Sequence, residues 1–203
     1  MTKIIDITHP TSAERILSTA LDLFAVKGYD ATAVREICEA ADITKPTLYH
    51  FYGSKDGVLQ ALVSTGFRQW RQLVESALES PGSFRERMKV VARSIFQSAS
   101  QKPKFWRFIH SVIWAPPGTA PQTESCSEFY DAVVAALAAT AEAAVQRGEI
   151  SPGPMRARML ILMGSISEAA TGFVIAGKPE LTPELADELI DTIFDGWARG
   201  KGL

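Results

Sequence analysis

One short run near the amino end, Val34 to Lys55, restricts the fold of this chain more than any other. It reads as two short helices joined by a tight turn. Val34, Ile37, Cys38 and Ala41 recur at i, i+3, i+4 and i+7, the spacing of one buried helical stripe. Thr32 precedes them and is expected to cap the free N–H groups of that helix. Asp42 falls where the chain must leave the helix and turn, and Asp tolerates left-handed backbone better than most side chains. Ile43 is expected to enter the core between the helices. Thr44 is a natural N-cap, and Pro46 suits a first turn, which has no internal N–H partner to lose.

In the second helix Leu48 and Tyr52 share a face at i, i+4, with Phe51 beside them; all three are expected to anchor it. Lys45, Thr47, Tyr49 and His50 are then left outward. Lys45 suits a phosphate or a guanine edge, Thr47 a thymine methyl or a phosphate, and Tyr49 a phosphate oxygen. Lys55 opens the next helix behind Ser54, where ammonium and helix N-terminus together favour an anion. From Ile43 to Lys55 there is no acid. This is the pattern of a helix-turn-helix, whose second helix can lie in a DNA major groove. Spacing alone leaves a second reading open, a helical hairpin with a solvated outer face.

Composition narrows the function classes. With 203 residues the chain can bury a sizeable core. A net charge of −2 argues against indiscriminate coating of nucleic acid. Cys38 and Cys126 are too few for a disulfide scaffold, and Cys38 on a buried stripe points to a reduced, cytoplasmic setting. Met1 to Pro10 holds no run of signal-peptide length. No segment is expected to reach the ~18 apolar residues of a membrane span, so no membrane partner is expected. There is no HExxH, no Gly-rich phosphate loop and no GxSxG. His9, His50 and His110 are widely spread. No enzyme, metal or cofactor is therefore expected.

The rest of the chain reads as helices. Thr11-Ser12-Ala13-Glu14 is a capping box, followed by Ile16, Leu17, Ala20, Leu21 and Phe24 as an inner stripe and Gly28 as a stop. A long helix follows Ser54 and ends at Ser80-Pro81-Gly82. Ser83-Phe84-Arg85-Glu86 is a second capping box, Pro103 opens another helix, and residues 115–121 form a loop. Ser125 is expected to cap an alanine-rich helix ending at Gly148. Two more helices run from about Met155 to Ala176 and from Pro183 to Arg199, the last capped by Thr182. No segment alternates as a strand does, so the predicted fold is all-α, divided into residues 1–55 and 56–203.

The run Gly28-Tyr29-Asp30-Ala31-Thr32-Ala33-Val34-Arg35-Glu36-Ile37, continuing to Thr47-Leu48-Tyr49 and Gly53-Ser54-Lys55, resembles the N-terminal signature of the tetracycline-repressor (TetR/AcrR) family. The likeness extends from Ile16 to Leu62. It implies an N-terminal three-helix helix-turn-helix DNA-binding domain and a C-terminal helical ligand-binding and dimerisation domain. By position, Thr32, Lys45, Thr47, Tyr49, His50 and Lys55 match residues that usually touch DNA in that family, and Pro46 and Phe51 match residues that sometimes do. Asp42 and Pro46 stand where Gly is frequent, Cys38 where Ala is, Ala33 where Thr or Ser is, and Phe51 where His or Tyr is usual.

The last two helices are strongly apolar. Met155, Met159, Leu162, Met163, Ile166, Ala170, Phe173 and Val174 line one, and Leu185, Leu189, Ile193, Phe194 and Trp197 the other. Gly164, Ser165, Ser167 and Gly172 are expected to permit close helix approach. These stripes either close the chain's own core or pair two copies through residues 155–199; the resemblance favours the homodimer, reading a palindromic operator on double-stranded DNA. Trp70, Phe96, Phe105, Trp106, Trp114 and Phe173, with His110 among them, suit a small apolar or aromatic effector. The expected seat is between the helix after Ser54 and the Phe105 helix, and binding is expected to move the heads apart. Such aromatics at helical spacing equally suit a plain core. The predicted function is a dimeric ligand-responsive regulator, a repressor by default. The rival is a helical ligand-binding or interaction module without DNA binding.

Overall fold

The computed structural model describes residues 11–113 and 124–198. All regular structure among the described residues is helical. The chain divides into two compact units, one comprising Met1–Gly66 and Arg107–Cys126, the other Phe67–Trp106 and Ser127–Leu203.

In the first unit, α1 (Ser12–Lys27) opens on a reciprocal cap: the Thr11 hydroxyl accepts from the Glu14 N–H at 3.3 Å and the Glu14 carboxylate accepts from the Thr11 N–H at 2.8 Å. Ile16, Ala20 and Phe24 point inward, one per turn. Gly28 ends the helix at φ 84°, a conformation that strains any side-chain-bearing residue. Then come α2 (Val34–Ala40) and α3 (Lys45–Tyr52), and Ile37, Cys38, Ala41 and Leu48 complete a small core with Val58, Leu59, Leu62 and Val63. The last four belong to α4 (Lys55–Leu78), which runs unbroken from the first unit into the second.

The second unit is built around α5 (Phe84–Gln101), capped by the Ser83 hydroxyl. Phe84, Met88, Val91, Ile95 and Phe96 form a buried side of that helix. After α6 (Pro103–Ile113) come α7 (Glu124–Gln146), α8 (Met155–Ala176) and α9 (Pro183–Ala198), and α5 packs against both α8 and α9. Because α7 begins at Glu124, Ser125 lies inside its first turn, not ahead of it as the sequence suggested.

Charge reinforces the α5–α9 contact. Arg85, Lys89 and Arg93 recur every four residues along α5, and Asp187, Asp191 and Asp195 do so along α9. Arg85 meets Asp191 at 2.7 Å and Asp195 at 3.0 Å, Lys89 meets Asp191 at 2.9 Å, and Arg93 meets Asp187. The Lys89 ammonium first, and then Arg85, hold the Asp191 carboxyl below its ordinary pKa.

Two sequence expectations about α8 need correction. It has 22 residues, and its most apolar 18-residue stretch has a mean hydropathy of 1.7, so by length and composition it could cross a membrane after all. Its composition also has a cause within the fold. Met159, Leu162, Ile166, Ala170 and Val174 are core, which accounts for the stripe assigned in part to an interface. The opposite side carries Leu160, Ile161 and Ile175, each more than half exposed. These stand among the exposed Ser167 and Glu168, so apolar residues on both sides leave only a weak polar signal of which one is buried. Gly172 likewise serves the chain itself: a Cβ there would stand 2.6 Å from the Lys178 carbonyl oxygen.

Candidate nucleic-acid interface

The turn between α2 and α3 forms as its residues dictate. Asp42 takes φ 51°, the one positive value outside glycine among the described residues. The Thr44 hydroxyl accepts the Thr47 N–H at 3.3 Å and lies 2.8 Å from the Thr47 hydroxyl, so α3 starts on a cap. Pro46 sits in the first turn, where no backbone donor is sacrificed. Two inward groups fix the helix. Leu48 is fully buried, and the Tyr52 hydroxyl donates to the Ala13 carbonyl of α1 at 2.9 Å.

What remains outside is Lys45, Pro46, Tyr49 and His50, all exposed, with Thr47 half-buried. Tyr49 is 46% exposed despite its aromatic ring. Phe51 is equally exposed, at 46%, and is no anchor; its ring stands 5.3 Å from that of His50. No carboxylate lies on α3 itself, so this surface presents an ammonium, an imidazole, a phenol and an apolar ring to solvent.

Two further residues placed at this surface by the sequence are engaged within the first unit. Thr32 is 1% exposed, and its hydroxyl donates to the Gly28 carbonyl at 2.8 Å. It does not cap α2. The N-cap is Ala33, which has no acceptor; Glu36 reaches back instead and takes the Ala33 N–H at 2.7 Å, and it pairs with Lys27. Lys55 is half-buried and donates to the Tyr29 and Thr32 carbonyls, each at 3.0 Å. Ser54 does cap α4, accepting the Gly57 N–H at 3.0 Å. Tyr29 and Asp56, which the sequence did not single out, are bonded to each other through hydroxyl and carboxylate.

The aromatic residues assigned to an effector are spread between the units. Phe96 is core of the second unit at 1% exposure, and Trp70, Trp106 and Phe173 pack half-buried against that core. The Trp106 indole donates to the Ser98 hydroxyl at 3.3 Å. Phe105 is half-buried in the same unit, whereas His110 belongs to the first. Trp114 lies outside the described residues.

Residues 16–62 match the family model described as bacterial regulatory proteins, tetR family. Over that span the chain carries the tetR-family signature. The matched span holds the whole of α2 and α3, so the match rests on the same residues that build the exposed helix. Among curated relatives, the transcriptional repressor KstR2 of Rhodococcus jostii is 39% identical over 69 residues, 32% of this chain and 34% of that one. KstR of the same organism is 23% identical over 174 residues, 85% of this chain and 81% of KstR. The first curated relatives are matched over only 29–51% of their own length. The crystal structure of FadR from Bacillus subtilis in complex with stearoyl-CoA is similar in fold, with a TM-score of 0.74 at 19% identity, covering 90% of this chain and 97% of FadR. The chain therefore shares its fold with that structure along most of its length, while the tetR-family match itself is confined to residues 16–62.

Proposed function

We propose that the chain is a cytoplasmic, ligand-responsive transcriptional regulator that docks α3 in the major groove of a palindromic operator as a homodimer, and that it represses. One observation carries this reading: a capped helix anchored on one side by Leu48 and Tyr52 presents Lys45, Tyr49 and His50 to solvent with no acid among them. A compact dimer on a promoter excludes other proteins, which makes repression the default. Two copies of α3 on a twofold particle would meet half-sites about 34–36 Å apart.

Support for the dimer lies on α8. Leu160, Ile161, Gly164 and Ile175 fall on one side of that helix, and all are exposed in the single chain. A second copy of α8 and α9 laid against this side would bury apolar surface at a glycine that allows close approach.

Selection of bound duplexes from a random pool tests the reading directly, and a palindrome is the expected product. Tyr49→Ala and Lys45→Ala are each expected to weaken binding of the selected duplex by about tenfold. Lys45→Ala should also flatten the salt dependence, lowering its logarithmic slope by ~1 if the ammonium neutralises one phosphate. Thermal unfolding should hardly move, because both side chains are exposed. Normal operator binding by both variants would remove α3 from the interface. A chain indifferent to every duplex would leave the rival, a helical ligand-binding module.

The effector proposed is an apolar or aromatic small molecule held in the second unit near Trp70, Phe105, Trp106 and Phe173. A long-chain acyl thioester is the first to try, since FadR, of similar fold, holds stearoyl-CoA. Titration should change tryptophan emission and release the operator over the same concentration range. Emission that changes while the duplex stays bound would mean binding without a switch.

A further inference from the structure

The ammonium of Lys55 has three protons and meets three groups of its own domain. Two are the Tyr29 and Thr32 carbonyls, each at 3.0 Å. The third is the Tyr29 ring, whose centroid lies 4.1 Å from Nζ. The same ring is held from other directions. Its hydroxyl donates to the Asp56 carboxylate, and Phe24 meets it edge-on at 5.3 Å. The Tyr29 carbonyl also takes the Thr32 N–H at 3.2 Å, and the Thr32 hydroxyl takes up the Gly28 carbonyl.

Position makes this cluster more than local packing. Residues 28–33 are the entry to α2, and Lys55 and Asp56 are the exit from α3. Lys55 thus ties together the two ends of the helix-turn-helix, which sequence separates by 23 and 26 residues. A segment closed at both ends can swing its reading helix less than one held only by Leu48 and Tyr52.

We propose that Lys55 is a positioning residue for DNA recognition, its ammonium closing the helix-turn-helix through the Tyr29 and Thr32 carbonyls and the Tyr29 ring rather than meeting a phosphate. This rests on the regulatory reading above, and it changes what a substitution at Lys55 should do. Deleting a lysine that meets a phosphate directly lowers the salt slope of binding by about 0.9 and leaves the free protein unaltered. Opening a clasp does the reverse.

The test is Lys55→Met in the full chain, read by amide hydrogen exchange without DNA and by duplex affinity across a salt series. Exchange at the amides of residues 29–34 is expected to rise about tenfold or more, as a local opening becomes easier. Affinity for the selected duplex is expected to fall while the salt slope stays that of the wild type. Tyr29→Phe keeps the ring and both carbonyls but removes the Asp56 link; a smaller rise at the same amides is expected, and this variant decides the matter if Lys55→Met does not fold. Unaltered exchange in both variants, or a slope that drops by about 0.9 per Lys55, overturns the proposal. A wild-type chain that binds no duplex ends the regulatory reading instead, and exchange still tells whether the clasp exists.

Discussion

Ile161→Arg is expected to convert the protein to a monomer that keeps its helices and loses its operator. Ile161 is 53% exposed in the single chain and sits on α8 beside Leu160 and Gly164. A guanidinium there remains in water as long as the chain is alone, so the fold should lose no more than about 0.5 kcal/mol. Against a second copy the same charge would be buried unpaired, twice by symmetry, and an unpaired buried charge costs several kcal/mol, about 3–5 in measured cases. Operator binding then rests on one head. Loss of the second, tethered head should reduce affinity by about 10²–10⁴. Sedimentation and circular dichroism read the two halves of this expectation separately. A variant that stays dimeric would move the interface off this side of α8.

Phe84→Ala is expected to be the most destabilising single truncation of the second unit. Phe84 is fully buried at the first position of α5, its ring 5.7 Å from that of Phe194 on α9, and its N–H is taken by the Glu149 carboxylate. Truncation removes the ring from a place where α5 meets α9, and the backbone donor pinned there by Glu149 stops the helix end from collapsing into the gap. Phenylalanine-to-alanine changes in such cores cost about 3–5 kcal/mol, a large share of the ~5–15 kcal/mol a domain has in total. Urea unfolding followed by Trp70 and Trp106 emission should show a loss of unfolding free energy of that size, read from the shift in midpoint times the m-value. A loss under about 1 kcal/mol would mean that neighbouring helices close over the site.

The head was legible because its determinants are local. The Thr11 and Thr44 caps, the left-handed Asp42 and the inward Leu48 each depend on residues within four positions, and all formed as expected. Thr32, Phe51 and Lys55 misled for the opposite reason. A threonine before a helix reads as a cap, but its hydroxyl turned back to Gly28 and Glu36 took the role. A lysine at a helix start reads as an anion site, but its acceptors lie in a connection far back along the chain. The aromatic run of α3 reads as an anchor, but Tyr52 is tied to α1 through its hydroxyl while Phe51 stays exposed. In α8 the difficulty was of another kind. Both of its sides carry large apolar residues, and the position of α5 and α9 says which of them is inside.

The ionic ladder between α5 and α9 has a consequence of its own. Its cations and its acids both repeat every four residues, so sliding α9 by one turn, about 5.4 Å, would match most of the charges again. Electrostatics there is degenerate, like a toothed rack that engages at every notch. Phe84 seated against Phe194, with Ile190 and Ala186 in line behind, is what distinguishes the correct notch from its neighbours.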